Sequence, residues 1–185
     1  HTNGIPKKVV IQGGGLLGIY ACALLKEKGV EQIFCLEVKE DRFPLIEQFG
    51  AIAVDARDIR KANQLILDQV GDGADAVFEV AGVKELIPQG LALLRPGGDY
   101  VLVGLVHPDS QLGITAEQII RKCLRITGVH NYAPWHLDEA IAFLERNQNN
   151  FPFDSLISSP FPLEELEQAV HEAQKQHWAR VSIKP

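Results

Sequence analysis

Methionine is missing from all 185 residues, position 1 included, where the chain carries His1. A chain that opens on a bulky residue without an initiator methionine is expected to be a piece of a longer protein. Cysteine is scarce. Cys22, Cys35 and Cys123 are odd in number and far apart, with no C-x-x-C and no Cys/His spacing of a zinc site. They are expected to act as small buried hydrophobes in a reducing, cytoplasmic compartment. No run of 18 apolar residues occurs, which excludes a membrane-spanning helix from the expectation. Cations are outnumbered: 18 Lys and Arg against 24 Asp and Glu leave a formal charge of −6. That balance argues against a nucleic-acid or anionic-membrane surface. Repeats and low-complexity tracts are absent too.

What remains is average for a globular chain, 46% hydrophobic and 23% charged, long enough for one well-buried domain with a small appendage. The segments "KKVVIQG", "EQIFCLEV", "AIAVDA", "ADAVFEVAG" and "DYVLVGL" are short, nearly continuous apolar runs. Between them lie stretches of helical spacing: Leu16 to Lys28, "DRFPLIEQFG", Arg57 to Val70 and Lys84 to Leu94. "RPGG" reads as a turn. A further helix is expected at about Ala116 to Lys122 and a sixth strand at about Leu124 to Val129. Apolar strands alternating with helices predict an α/β fold whose parallel sheet is covered on both faces. The expected strand order is the doubly wound 3-2-1-4-5-6. Beyond residue 131 the pattern changes to two amphipathic helices, a Pro- and Phe-containing connection and a terminal strand. The expected division is therefore 1–131 and 132–185.

Gly13, Gly15 and Gly18 spell G-x-G-x-x-G between the first strand and the first helix. In that setting the first glycine permits the tight turn and the second lets the backbone touch a pyrophosphate. The third lets the helix lie close to the sheet. The helix N-terminus offers unpaired N–H groups and a positive dipole end to an anion. No Asp or Glu stands between Gly13 and Lys26 to repel it. Glu37, 19 residues after Gly18, ends the second strand where a carboxylate takes adenosine ribose hydroxyls. An acid there disfavours a 2′-phosphate and so favours NAD over NADP, although Arg42 follows closely and offsets the charge. A P-loop is excluded because no Gly-Lys-Ser/Thr follows. S-adenosylmethionine enzymes use a similar turn, usually with an acid where this chain has Gln12.

"VVIQGGGLLG", Glu37, "GADAVFEVAG", "LLRPGGDYVLVGL" and "LRITGVHNYAPWHLDEAI" resemble, in order and spacing, the cofactor half of the medium-chain dehydrogenases. Their zinc-dependent alcohol dehydrogenase branch is the best match. "ITGVHNYAPWHL" with the later "FPF" is similar to the alcohol dehydrogenases associated with phosphonate catabolism. The resemblance implies that Gly13, Gly15, Leu16, Leu17 and Gly18 hold the pyrophosphate of NAD. It places Glu37 at the adenosine ribose, with Arg42 flanking. Val80 and Ala81 would line the path to the nicotinamide ribose, and Val103, Val129 and Asn131 would face the carboxamide. Arg180 would reach the pyrophosphate. The segment 132–185 would pack back on a catalytic domain.

In that family an N-terminal domain supplies the zinc ligands and the proton relay, and no matching residues stand in this chain. Only twelve residues precede Gly13. Among the histidines, His107 alone is expected near the nicotinamide end. "His107-Pro108-Asp109-Ser110" is not a catalytic triad, because sequence neighbours do not form such a relay. The expected whole protein is an NAD-dependent alcohol or polyol oxidoreductase, a homodimer or homotetramer with a small-molecule alcohol substrate. The alternatives are a stand-alone, non-catalytic NAD-binding module and an S-adenosylmethionine-binding domain.

Overall fold

A strand with three consecutive apolar residues at its centre has no face there to give to water, and the first strand sets the architecture accordingly. Val9, Val10 and Ile11 of β1 (Lys8–Gln12) are all fully buried, which requires layers on both sides. The computed structural model describes residues 4–185. They form two compact units, one reaching to Ala133 and one from Pro134 to Pro185.

In the first unit β1 is joined by β2 (Gln32–Glu37), β3 (Ile52–Asp55), β4 (Ala74–Glu79), β5 (Leu94–Leu102) and β6 (Arg125–Gly128). All pairs are parallel and the spatial order is β3-β2-β1-β4-β5-β6. This is the expected doubly wound sheet, with its switch point between β1 and β4. The crossovers carry α1 (Leu16–Glu27), α2 (Phe43–Gln48), α3 (Ile59–Val70), α4 (Leu86–Leu93) and α5 (Ala116–Lys122). α1 buries Ile19, Cys22, Ala23 and Leu25. Val10, Phe34, Val77 and Tyr100 of the sheet share a core with Ala62, Ile66 and Val70 of α3 and with Ile87 and Leu91 of α4.

Local chemistry sets the helix ends. α3 begins at Ile59, two residues later than its spacing suggests, because the Asp58 carboxylate accepts the Lys61 N–H and caps it. α5 has a reciprocal cap between Thr115 and Gln118 and ends on Cys123 in the left-handed region, φ 50°. That cap leaves Cys123 exposed, against the expectation that all three thiols are buried; Cys22 and Cys35 are.

The other departure is "RPGG". It is not a turn between elements but a bulge inside β5. Leu94 pairs with Ala74 and Asp99 with Ala76, so Arg95–Gly98 bow out opposite Asp75 alone. Gly97 supplies the positive φ of 77°. Asp75 fastens the bulge, accepting from Arg95 Nε at 2.6 Å and from the Lys7 and Lys8 amides at 2.8 and 2.9 Å. Burial alone would push that carboxyl up, but these donors outweigh it and hold it below its ordinary value.

One polar pair crosses the core under the glycine turn. Tyr100 Oη donates to Gln12 Oε1 at 2.8 Å, and Gln12 Nε2 donates to the Leu86 carbonyl at 2.8 Å. Gly90 makes the room: a Cβ there would lie 2.6 Å from Gln12 Oε1.

The second unit has α6 (Pro134–Asn147), α7 (Leu166–Lys175) and a two-residue parallel pair, β7 (Phe161–Pro162) with β8 (Ile183–Lys184). Phe143, Leu156 and Ala169 are its buried apolar residues, with Phe153 edge-on to Phe143. Trp135, Leu137, Ile141 and Leu144 of α6 remain exposed.

Tyr100→Phe is expected to cost about 1–3 kcal/mol, because it leaves Gln12 Oε1 buried without a donor. Urea unfolding measures this, and an unchanged midpoint would show that the hydroxyl does not hold Gln12.

Candidate functional site

The carboxyl ends of all six strands meet at one edge of the first unit, and the glycine turn leaves β1 at that edge beside the switch point. Each glycine has its own reason. At Gly13, φ +113°, a Cβ would stand 2.9 Å from Ala81 Cβ. At Gly14 it would stand 2.7 Å from Ile46 Cδ1 and 2.9 Å from Glu37 Oε2. At Gly18 it would stand 1.9 Å from the Gly13 carbonyl oxygen, a distance no packing adjustment absorbs. Gly15 differs: a Cβ there meets nothing within 4 Å. The chain itself has no steric need for glycine at position 15.

Gly15 is also the N-cap of α1. No side chain caps it and no acid stands in the first turn. The terminal N–H groups of a 12-residue helix are therefore presented beside that open space, as an anion site requires. Leu16 is half-buried and Leu17 exposed at this end.

Glu37 closes the other side of the turn and is only 7% exposed. Its Oε2 accepts from the Gly14 amide at 3.1 Å and Arg42 Nη1 at 3.2 Å. Its Oε1 accepts from the Val38 and Lys39 amides at 2.7 and 3.0 Å. Four donors on a nearly buried carboxylate fix its position. Next to it, at the end of β3, Arg57 bridges Asp55 and Glu40. Hydrogen bonds from Arg57 hold the Asp55 carboxyl down at about 2.

Val80 and Ala81 follow β4. The Val80 amide donates to the Gln12 carbonyl at 3.1 Å, which keeps the segment against the turn. The Val103 amide donates to the Glu79 carbonyl and the Val129 amide to the Leu102 carbonyl, each at 2.9 Å. Val103 and Val129 line one open groove of about 660 Å³ with His107 and His130. Asn131, φ 56°, pairs with His130 through the His ring nitrogen at 3.1 Å. Arg180 belongs to the second unit, where its amide donates to the Leu156 carbonyl and its guanidinium to the Ala179 carbonyl.

The first unit thus gathers Gly13 to Gly18, Glu37, Arg42, Val80 and Ala81 around the glycine turn, and Val103, Val129 and His107 around the groove. Ser110 turns its amide back to the His107 carbonyl, a turn and not a relay. Sequence pattern missed Gly14, Glu79 and the amides of Val38 and Lys39. A third consecutive glycine was a signal for Gly14; backbone donors leave none. Among the described residues no group of three or more His, Cys, Asp or Glu could hold a metal ion. No helix among them is long and apolar enough to cross a membrane.

With this geometry in place, comparison with known proteins is informative. The sequence model of the zinc-binding dehydrogenases matches residues 17–146. A protein named "Probable D-xylulose reductase A" from Emericella nidulans is 29% identical over 166 residues, 87% of this chain and 45% of its own. The crystal structure of an alcohol dehydrogenase from Thermotoga maritima superposes with a TM-score of 0.87 at 24% identity, over 100% of this chain and 52% of its own. A Sinorhizobium meliloti structure bound to NADP gives 0.76 at 24% identity, over 91% and 49%. The chain spans about half the length of the curated relatives it matches.

Gly15→Ala and Gly18→Ala are expected to separate in thermal and urea unfolding. The first should cost less than about 1 kcal/mol, the loss of a modest cap. The second should cost more than about 3 kcal/mol, since helix and strand must part. Equal effects would remove the distinction between a glycine the fold needs and one it does not.

Proposed function

Because the chain belongs to the zinc-binding dehydrogenase family, we propose that it is the cofactor-binding part of an oxidoreductase passing hydride between an alcohol or polyol and NAD. The observation that carries this is Gly15: a glycine whose Cβ position is open, at an uncapped helix N-terminus, next to Gly14, whose amide binds the fixed Glu37 carboxylate. A cradle that only a ligand would fill is what a pyrophosphate needs.

In this reading Gly13 to Gly18, with Leu16 and Leu17 in the first helical turn, receive the pyrophosphate. Glu37 accepts the adenosine ribose hydroxyls. Its oxygens already take four donors, so one must yield, and Arg42 is the only side chain among the four. We infer that Arg42 turns from Glu37 toward the adenosine as the ribose arrives. Val80 and Ala81 line the nicotinamide ribose, and Val103, Val129 and Asn131 offer backbone groups to the carboxamide. The pyrophosphate role of Arg180 rests on the family resemblance alone. NAD, when bound, supplies the two-electron acceptor; this chain's residues bind it, orient it and keep water from one face.

The choice of NAD rests on Glu37, whose charge repels a 2′-phosphate. NADP in the Sinorhizobium structure is a property of that protein, which shares the fold. The family's zinc finds no ligand group among the described residues. Its ligands would come from the remainder of the protein. The segment 132–185, with the apolar side of α6 exposed, would pack on that remainder. A cytoplasmic homodimer or homotetramer acting on a small alcohol completes the proposal.

Calorimetric titration of the 185-residue chain should show NAD binding, with NADP weaker. Glu37→Ala should weaken NAD by about 10- to 100-fold, the worth of a charged hydrogen bond, and narrow its advantage over NADP. Gly15→Ala should abolish binding while the protein stays folded. NADP binding as tightly as NAD to the unaltered chain would overturn the assignment. Zinc added to the chain should give no alcohol-dependent NADH; turnover would place the metal ligands within it.

A further inference from the structure

The sequence hides an acid in the apolar run "AVFEVAG". Glu79, the last residue of β4, is 0% exposed. Its Oε1 accepts one hydrogen bond, from the Gly82 amide at 2.7 Å. Its Oε2 is buried and has no partner among the described residues. Glu37, at the matching end of β2, has four donors for the same two oxygens. A buried carboxylate so poorly satisfied is unfavourable for folding, and an apolar residue of similar volume is often as stable or better. Such departures from local rules concentrate at functional sites.

Its position says which function. Glu79 pairs in register with Gln12, so it stands at the switch point directly beside the glycine turn. Its main-chain carbonyl accepts from both the Val103 and Gly104 amides, at 2.9 and 3.0 Å. One residue therefore holds the loop leaving β4 through its side chain and the loop leaving β5 through its backbone. The two loops touch where neither tolerates a side chain. A Cβ on Gly104 would lie 2.6 Å from the Gly82 nitrogen and 2.8 Å from the Val80 carbonyl carbon. Burial, and then the charge of Glu79, push the Tyr100 phenol up, yet its hydroxyl goes to Gln12.

We propose that Glu79 is a positioning residue for the nicotinamide half of the dinucleotide site: through Gly82 it sets the path of Val80 and Ala81 against Val103. The proposal rests on the dinucleotide reading above. The adenosine half hangs on Glu37, Gly14 and Arg42, which are joined by hydrogen bonds of their own, while the Glu79 side chain is bound to the Gly82 amide. Its removal should therefore separate the two halves.

The test compares NADH, which needs both halves, with ADP, which needs only the first. Affinities are measured on the full 185-residue chain by NADH fluorescence and by calorimetry for ADP. Glu79→Leu should weaken NADH about tenfold, the effect of one lost anchoring hydrogen bond, and leave ADP within about twofold. Glu79→Gln, which keeps an acceptor for the Gly82 amide, should restore NADH binding. Gly104→Ala, which forces the same two loops apart from the other side, should reproduce the selective loss if the leucine variant does not fold. Equal losses of NADH and ADP, no loss of either, or a glutamine variant as weak as leucine would each overturn the assignment. Failure of the unaltered chain to bind either ligand would overturn the dinucleotide reading and this proposal together. Normal binding by the unaltered chain without selective loss in the variants would overturn the positioning role alone.

Discussion

The approach of α1 to the end of β1 governs the rest of this molecule. Gly18 presses so close to the Gly13 carbonyl that a single methyl group would stand 1.9 Å from oxygen. That contact aims the helix axis at the space above the turn, and the buried stretch from Val9 to Gln12 anchors the turn's other end. Gly13 then abuts Ala81, and Gly14 gives its amide to Glu37. Each neighbour is thus placed by a backbone–backbone or backbone–carboxylate contact, which tolerates less adjustment than side-chain packing does. The site is rigid because the sheet is rigid, and it lies at the switch point because only there do two crossovers diverge.

Much of this was legible because it depends on local pattern. Buried parallel strands declare themselves as apolar runs, and the strand order follows from right-handed crossovers once the helices are recognised. Gly13, Gly15, Gly18 and Glu37 were legible as a spacing. What was hidden depends on partners remote in sequence. "RPGG" has every attribute of a turn. It becomes a bulge because Asp75, 20 residues earlier, anchors Arg95 while β4 pairs on both sides of it. Cys123 follows Arg121 and Lys122 at the left-handed C-cap of α5, where it is exposed. Glu79 was masked by the same apolar run that made β4 easy to recognise.

The contrast between the two buried acids separates two tasks that composition cannot tell apart. Glu37 and Glu79 end the strands on either side of β1 and have similar burial. Glu37 has four donors, one of them the Arg42 side chain, so in the proposed reading a ligand hydroxyl could replace one donor and leave the carboxylate satisfied. Glu79 has one backbone donor and no route to solvent, so exchange is closed to it; it can only hold. Satisfaction by movable groups suits recognition, and undersatisfaction deep in the sheet suits alignment.

The two units differ in how far they satisfy themselves. The first buries the central run of β1 and nearly all of β2 and caps α3 and α5 with its own side chains, and the contacts that shape the glycine turn come from its own residues. The second buries little beyond Phe143, Leu156 and Ala169, while α6 leaves Trp135, Leu137, Ile141 and Leu144 in the open. A helix with such a face is stabilised by what packs on it. Relatives twice as long supply, by their length alone, room for that partner. In the proposed reading, cofactor recognition draws on the glycine turn, Glu37 and the strand ends of the first unit. In the same reading, substrate choice would fall to surfaces that form where the exposed face of α6 is covered.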